Sequence, residues 1–308
     1  MSKTSERDLN PIPQKQSDDV TLTGLERKQR SEFRRAWNRF VRYRPGLIGL
    51  AFIGLLVVLA IFPGFFSPHP PTEIYPGMRN QPPSSEFLIG TDHAGRDMLT
   101  RIIYGSRTAL IVGVAATAIS ILIGVTIGAI AGYTGGWVDA ILSRVVDTLM
   151  AFPLLALLVV LSSVFGPSVL TVTVIIGATF WTGYARIIRA DMMSARERDY
   201  VLAAQAIGVQ TPRLIVRHIL PNIMGPVIVL ATLGIGGIII LEAALSFLGL
   251  GVQPPTASWG RSLSDARPHI LRYPHTAIAP GVMITLTVLA FNMIGDGLRD
   301  ALDPRQRE

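Results

Sequence analysis

Charged residues are missing from five long stretches of this 308-residue chain: positions 46–72, 108–138, 148–185, 219–241 and 273–295 hold no Asp, Glu, Lys or Arg. A bilayer crossing needs about 20 apolar residues in a helix, so each stretch has room for at least one. The stretch 148–185 is too long for a single helix, which would extend ~57 Å at 1.5 Å per residue. Phe165-Gly166-Pro167 divides it, because Gly and Pro punctuate helices. The expected architecture is therefore all-α and integral to the membrane. It has six spans, near 46–62, 108–131, 141–163, 168–189, 223–248 and 277–297. Charged residues make up 16% of the chain, below the roughly 25% of a soluble domain.

The formal charge of +7 would suit a nucleic-acid binder in a soluble protein. Here the positions of the arginines explain it better, and no nucleic-acid partner is expected. Arg27, Lys28, Arg30, Arg34, Arg35, Arg39, Arg42 and Arg44 precede the first span, and basic residues mark the cytoplasmic side. Alternation then places 63–107 and 249–275 outside, and 186–222 and both termini inside. The second inner loop carries Arg186, Arg189, Arg196, Arg198, Arg213 and Arg217. About 45 polar residues come before the first apolar run, which is unlike a cleavable signal peptide. With no cysteine, neither disulfides nor thiolate metal ligands contribute.

The chain divides into a disordered cytoplasmic tail (1–30), an amphipathic segment (31–45), a first span with a Pro-rich outer loop (46–104), a five-span core (105–300) and a short cytoplasmic tail (301–308). In the amphipathic segment Phe33, Trp37, Phe40 and Val41 recur at helical spacing among arginines. This favours a helix lying in the headgroup layer over a merely charged tail. In span two, Gly124, Gly128 and Gly132 form two overlapping GxxxG pairs. Small residues at that spacing let helices approach closely, whether within the chain or against a partner.

One inner segment is polar enough to lie outside the bilayer yet patterned enough to be ordered. This is Arg198 to Asn222, RDYVLAAQAIGVQTPRLIVRHILPN. Its Ala-rich start predicts a short helix over 199–207, which Gly208 ends with a left-handed cap. Pro212 suits the first turn of a second helix, running through Leu214, Ile215 and His218 to Pro221. The low-profile Ala203, Ala204 and Ala206 would fit a partner's groove, and a solvated loop without a partner is the alternative.

The pair Ala203-Ala204, the Gly four residues after Ala204 and the Leu220-Pro221 end resemble the cytoplasmic loop of ABC importer permeases known as the EAA loop. Leu202 stands where that family often has Glu, and His218 where it often has Ile. Three further segments resemble the permease subunits of peptide and nickel ABC importers: LIGTDHAGRDMLTRIIYGSRTAL (88–110), FLGLGVQPPTASWGRSL (247–263) and LTVLAFNMIGDGLRDALDP (286–304). The resemblance covers about residues 40–308 and is greatest to the C-type permease subunit of dipeptide and oligopeptide importers.

The resemblance implies half of a translocation pathway working by alternating access. A homologous permease subunit, two ATP-binding subunits and an extracytoplasmic substrate-binding protein would complete the assembly in a bacterial-type inner membrane, in contact with lipid. Coupling to the ATP-binding subunits would fall to Asp199, Tyr200, Ala203, Ala204, Ala206, Gly208, Leu220 and Pro221. The chain would hold no cofactor and would not itself be an enzyme. Its three lysines, Lys3, Lys15 and Lys28, all precede the first span, and none can serve in a P-loop. ATP and Mg would be bound by the partner subunits.

The competing class is a self-sufficient carrier or channel. Ionisable residues inside spans are functional candidates, and Asp147 and Glu242 would then carry protons. Glu242 is equally open to a role as a buried hydrogen-bonding group. Asp139 and Asp296 can both reach interfacial water. At the outer entrance to span two, Asp92, His93, Asp97 and His69 lack the convergence of a metal site. The expectation there is no metal, with Thr91 or Asp92 capping a short helix and Gly95 making a turn.

Overall fold

In hydrocarbon every backbone N–H and C=O has to be satisfied within the protein, and helices do this segment by segment. The computed structural model of the chain, which describes Arg34 and residues 36–302, is helical through its apolar runs. Among the described residues the only β pairing is an isolated bridge between Thr91 and Asp97. The expected tail 1–30 and the end of the chain from 303 lie outside the described residues.

In chain order the helices are α1 (36–42), α2 (Arg44–Ile61), α3 (Pro63–Phe66), α4 (Met98–Thr134), α5 (Gly136–Ala151), α6 (Leu154–Phe165) and α7 (Val169–Arg196). They continue with α8 (Asp199–Ala206), α9 (Thr211–Leu214), α10 (Leu220–Phe247), α11 (Trp259–Ala266) and α12 (His275–Leu302). Among the described residues five helical stretches are long and apolar enough to cross a membrane singly. The bent pair α5–α6 makes a sixth crossing if its two helices count as one span.

Three expected boundaries are corrected. The third span does not run unbroken from 141 to 163, since α5 and α6 meet at 86°. Pro153 has no N–H to give and pushes Phe152 into an extended conformation (ψ 137°). The second span starts at Met98 rather than near 108 and runs 37 residues. Its cap is Asp97, which accepts from the Thr100 N–H at 2.8 Å, and not Thr91 or Asp92. Asp92 instead builds the preceding turn: its Oδ1 accepts from the N–H groups of Ala94 and Arg96, with Gly95 at φ +90°.

Third, the helix after Gly208 does not stop at Pro221. The stretch 211–247 is one helical rod in which Ile215–Ile219 form a π-turn. The wider turn lies just before Pro221, the residue without an N–H, and Asn222 Nδ2 donates to the His218 carbonyl (2.7 Å). The break expected at Gly166 is present, with φ +82°.

Helix packing follows the small residues. Along α4, a Cβ at Gly124, Gly128 or Gly132 would come within 2.5–2.6 Å of α7 atoms, namely Tyr184 Cβ, the Ala185 carbonyl and the Arg189 carbonyl. The GxxxG pairs are therefore spent inside the chain, on the α4–α7 contact. Gly113 admits Ile235 and Ile239 of α10, and Gly49 of α2 meets the Ala290 carbonyl of α12. At one end of α12, Phe40 of α1 packs with Ile294 and Ala301, while Trp37 stacks on Phe40 and stays half-exposed.

Candidate coupling site and the charged groups of the spans

The bundle has two dissimilar ends. At one, α7 stops at Arg196, the chain extends at Arg198 (ψ 145°), and α8 begins with Asp199 in its first turn. Val201 and Ala204 point inward, into a cluster with Ile188 and Met192 of α7, Leu214 of α9, and Ile219 and Ile223. Gly208, at φ +81°, ends the helix as expected: its N–H reaches the Gln205 carbonyl and the Val209 N–H that of Ala204. Gln205 Nε2 donates to the Tyr133 hydroxyl (3.2 Å) and Arg196 Nη1 to the Tyr133 carbonyl (2.9 Å), tying α8 to the end of α4.

With one face anchored, the other is open. Asp199, Tyr200, Ala203, Ala206 and Gly208 are exposed, Leu220 is half-buried and Pro221 is exposed at the foot of the rod. Ala204 sits apart from the others: it is 8% exposed and belongs to the anchor. Two large apolar residues dominate the open face, and Ile207 is not singled out from sequence. Ile207 is 81% exposed and Leu202 51%. An apolar residue just before a helix-ending Gly ordinarily reads as core, and only the direction of the Val201–Ala204 anchor shows that Ile207 points away. Leu202 makes this surface apolar where the family often places a carboxylate.

Two carboxylates of the spans, Asp139 and Asp147, are paired across helices. Asp139 of α5 takes a two-pronged contact from Arg189 of α7, with Nη2 to Oδ2 at 2.6 Å and Nε beside Oδ1. Ser143 adds a donor to Asp139 at 3.2 Å. Two turns on, Asp147 pairs with Arg186 at 2.9 Å, both more than half exposed. Arg189→Ala is expected to lower thermal stability by about 1 kcal/mol, a modest loss because the pair is partly solvated. The double variant Asp139→Ala/Arg189→Ala should recover part of it, and a thermal melt of the purified protein checks both.

Glu242 is 2% exposed and accepts hydrogen bonds from Ser246 and Ser258. Asp296 is exposed. At the other end of the bundle, Asp92 holds Arg96 at 2.7 Å, and His69 and His93 face Asp97 and Asp265 separately. Arg96 also meets Asp265, which faces Arg261 and His93, so Asp92 and Asp265 are joined through arginine; among the described residues no three His, Asp or Glu side chains are grouped to hold a metal. A cleft of about 530 Å³ opens between the α5–α6 bend, α7 and α10. Its walls are mainly apolar, with Thr179, Thr182, Tyr184, Gly183 and Gly234 among them.

Residues 124–308 match the family described as "Binding-protein-dependent transport system inner membrane component". Residues 31–83 match the "N-terminal TM domain of oligopeptide transport permease C". The chain is 42% identical over 277 residues to the dipeptide transport system permease protein DppC of Alkalihalophilus pseudofirmus, covering 90% of this chain and 91% of that protein. It is 40% identical over 300 residues to the Bacillus subtilis protein of the same name (97% and 92% covered). Identity to the oligopeptide transport system permease protein OppC of Bacillus subtilis is 39% over 284 residues (92% and 93% covered).

Proposed function

The chain belongs to the inner-membrane components of binding-protein-dependent transport systems, the permease subunits of ABC importers, and from that premise we propose that it forms half of a peptide pathway driven by ATP-binding subunits docked on α8. The observation that carries this reading is the two-sided character of α8. Val201 and Ala204 lock it to α7 and the Thr211–Phe247 rod, while Leu202, Ala203, Ala206 and Ile207 are left uncovered. An exposed apolar patch, here built around Leu202 and Ile207, marks a contact surface. A helix seated in a partner's groove passes the partner's displacement to whatever it is anchored on.

In this account closure of the ATP-binding subunits pushes α8. The rod and α7 follow, because they share one buried cluster with it, and the bundle rocks between inward- and outward-open forms. ATP and Mg reside in those subunits, and the chain supplies no catalytic group. A homologous permease subunit completes the pathway. A substrate-binding protein delivers the cargo at the opposite end, on the loops 63–97 and 249–274. The arginine distribution supports an orientation with both termini and α8 facing the cytoplasm.

The relatives named for dipeptide and oligopeptide transport support a peptide cargo. The cleft at the α5–α6 bend, with its small and weakly polar groups, suits a wall that tolerates varied side chains. That leaves selection to the binding protein. The exposed Asp147–Arg186 pair and the enclosed Glu242 offer a proton-driven carrier no isolated titrating group.

The test is uptake of labelled di- and oligopeptides into vesicles holding this chain with its partner permease and ATP-binding subunits. Uptake is expected only with both ATP and the binding protein. Uptake by this chain alone, driven by a proton gradient, would overturn the reading.

A further inference from the structure

Glu242 belongs to a buried polar chain that the coupling geometry does not use. Its Oε1 accepts from Ser246 Oγ at 2.7 Å and from Ser258 Oγ at 2.8 Å. Each serine in turn accepts a backbone N–H: Val252 donates to Ser246 at 3.0 Å and Arg261 to Ser258 at 3.4 Å. One carboxylate oxygen thus collects the end of α10, the turn after it and the N-cap of α11. All three side chains are at most 2% exposed.

The surrounding contacts leave α11 little freedom relative to α10 and α4. A Cβ at Gly260 would collide with the Ala243 backbone, and one at Gly105 would lie 2.6 Å from the Trp259 ring. The Trp259 indole N–H donates to the Ile102 carbonyl at 3.0 Å, and Thr108 Oγ1 to that of Ala257 at 2.7 Å. Ser264 Oγ donates to the Phe247 carbonyl at 2.8 Å, and Asp265 meets Arg261 and Arg96. The far end of the same rod, at Thr211, adjoins Gly208 and α8.

We infer that Glu242 is a positioning residue that clamps α11 to the end of the Thr211–Phe247 rod, so that displacement of α8 is delivered to the opposite face of the membrane, where α11 meets the binding protein. Its role is that of a hydrogen-bond acceptor, not of a proton carrier or a substrate ligand. A buried hydrogen-bonded network of this kind holds its elements in one arrangement, and removal of the acceptor strands its donors. This inference rests on the coupling role proposed for α8.

The experiment compares Glu242→Gln and Glu242→Ala in the full complex of this chain with its partner permease and ATP-binding subunits. Two readouts are taken: stimulation of ATP hydrolysis by the binding protein, and hydrogen exchange of the amides of 259–266. Glu242→Gln keeps the accepting oxygen and is expected to match the wild type in both. Glu242→Ala is expected to speed α11 exchange about tenfold or more and to abolish stimulation, while hydrolysis without binding protein persists in the partner subunits.

Wild-type exchange and stimulation in Glu242→Ala would overturn the clamp. So would a Glu242→Gln as damaged as the alanine variant, because the charge or proton would then be what matters. Should Glu242→Ala not assemble, Ser258→Gly removes one donor at a helix N-cap that tolerates glycine, and unchanged exchange and stimulation there would also overturn it. If even the wild-type complex shows no stimulation, it is the coupling reading that fails, while the exchange comparison still judges the clamp.

Discussion

Gly128→Leu is expected to prevent recovery of a folded protein. A Cβ at Gly128 would lie 2.6 Å from the Ala185 carbonyl and 2.9 Å from Ile188 Cβ, so both the α7 backbone and a β-branched side chain block it. Neither can swing aside, as the end of a flexible side chain could. Overpacking a core costs about 1–3 kcal/mol where neighbours can shift, and here α4 and α7 would have to separate along their common seam. That seam is the most extensive helix contact in the bundle, and close approach of small residues is a main source of helix association in lipid. The check is the yield of monodisperse protein in detergent, with Gly54→Leu as the control. Gly54 is exposed on α2 and a Cβ there meets nothing within 4 Å, so that variant should purify like the wild type.

Ile207→Asp is expected to leave the chain folded and to stop transport. The side chain is 81% exposed, so a carboxylate there remains solvated in the isolated subunit. In the assembled importer it would be driven into an apolar contact. Loss of a central apolar anchor costs about 2 kcal/mol or more at an interface, which corresponds to a roughly 30-fold weakening of subunit docking. ATP-dependent peptide uptake in vesicles and co-purification of the ATP-binding subunits measure the two consequences together. Ala204→Asp makes the contrast. Ala204 is buried with Ile188, Leu214 and Ile219, and a charge placed there should cost folding rather than coupling.

The spans were legible in the sequence because charge-free stretches are what a bilayer demands, and the Gly166 break and the Gly208 cap were legible because a positive φ selects glycine. Two of the three corrected boundaries, at the third span and after Gly208, share a cause, which is that proline acts through its surroundings. Pro153 breaks a helix, whereas Pro226 and Pro280 sit inside continuous ones and Pro221 lies just after a π-turn. The first ten residues of α4, Met98–Arg107, read as loop because they carry charge, yet most of them are enclosed by the outer loop and α11.

Among the coupling residues, the pattern of Ala203, Ala204 and Ala206 marked the helix but not which face is free. The difference between Ala203 and Ala204 depends on where α7 and the 211–247 rod lie. The partners of Asp139, Asp147 and Glu242 are 50, 39 and, for Ser258, 16 residues away in sequence. Their pairing followed only from the packing.

The central claim is that the open face of α8 seats in an ATP-binding subunit. The most direct measurement is site-specific crosslinking of Ala203→Cys, a unique thiol in a chain without cysteine, to single-cysteine variants of that subunit with and without ATP. A crosslink whose yield changes with ATP is the predicted result. A thiol at 203 that labels freely with a water-soluble reagent in the intact complex, and forms no crosslink at any position, would contradict the account.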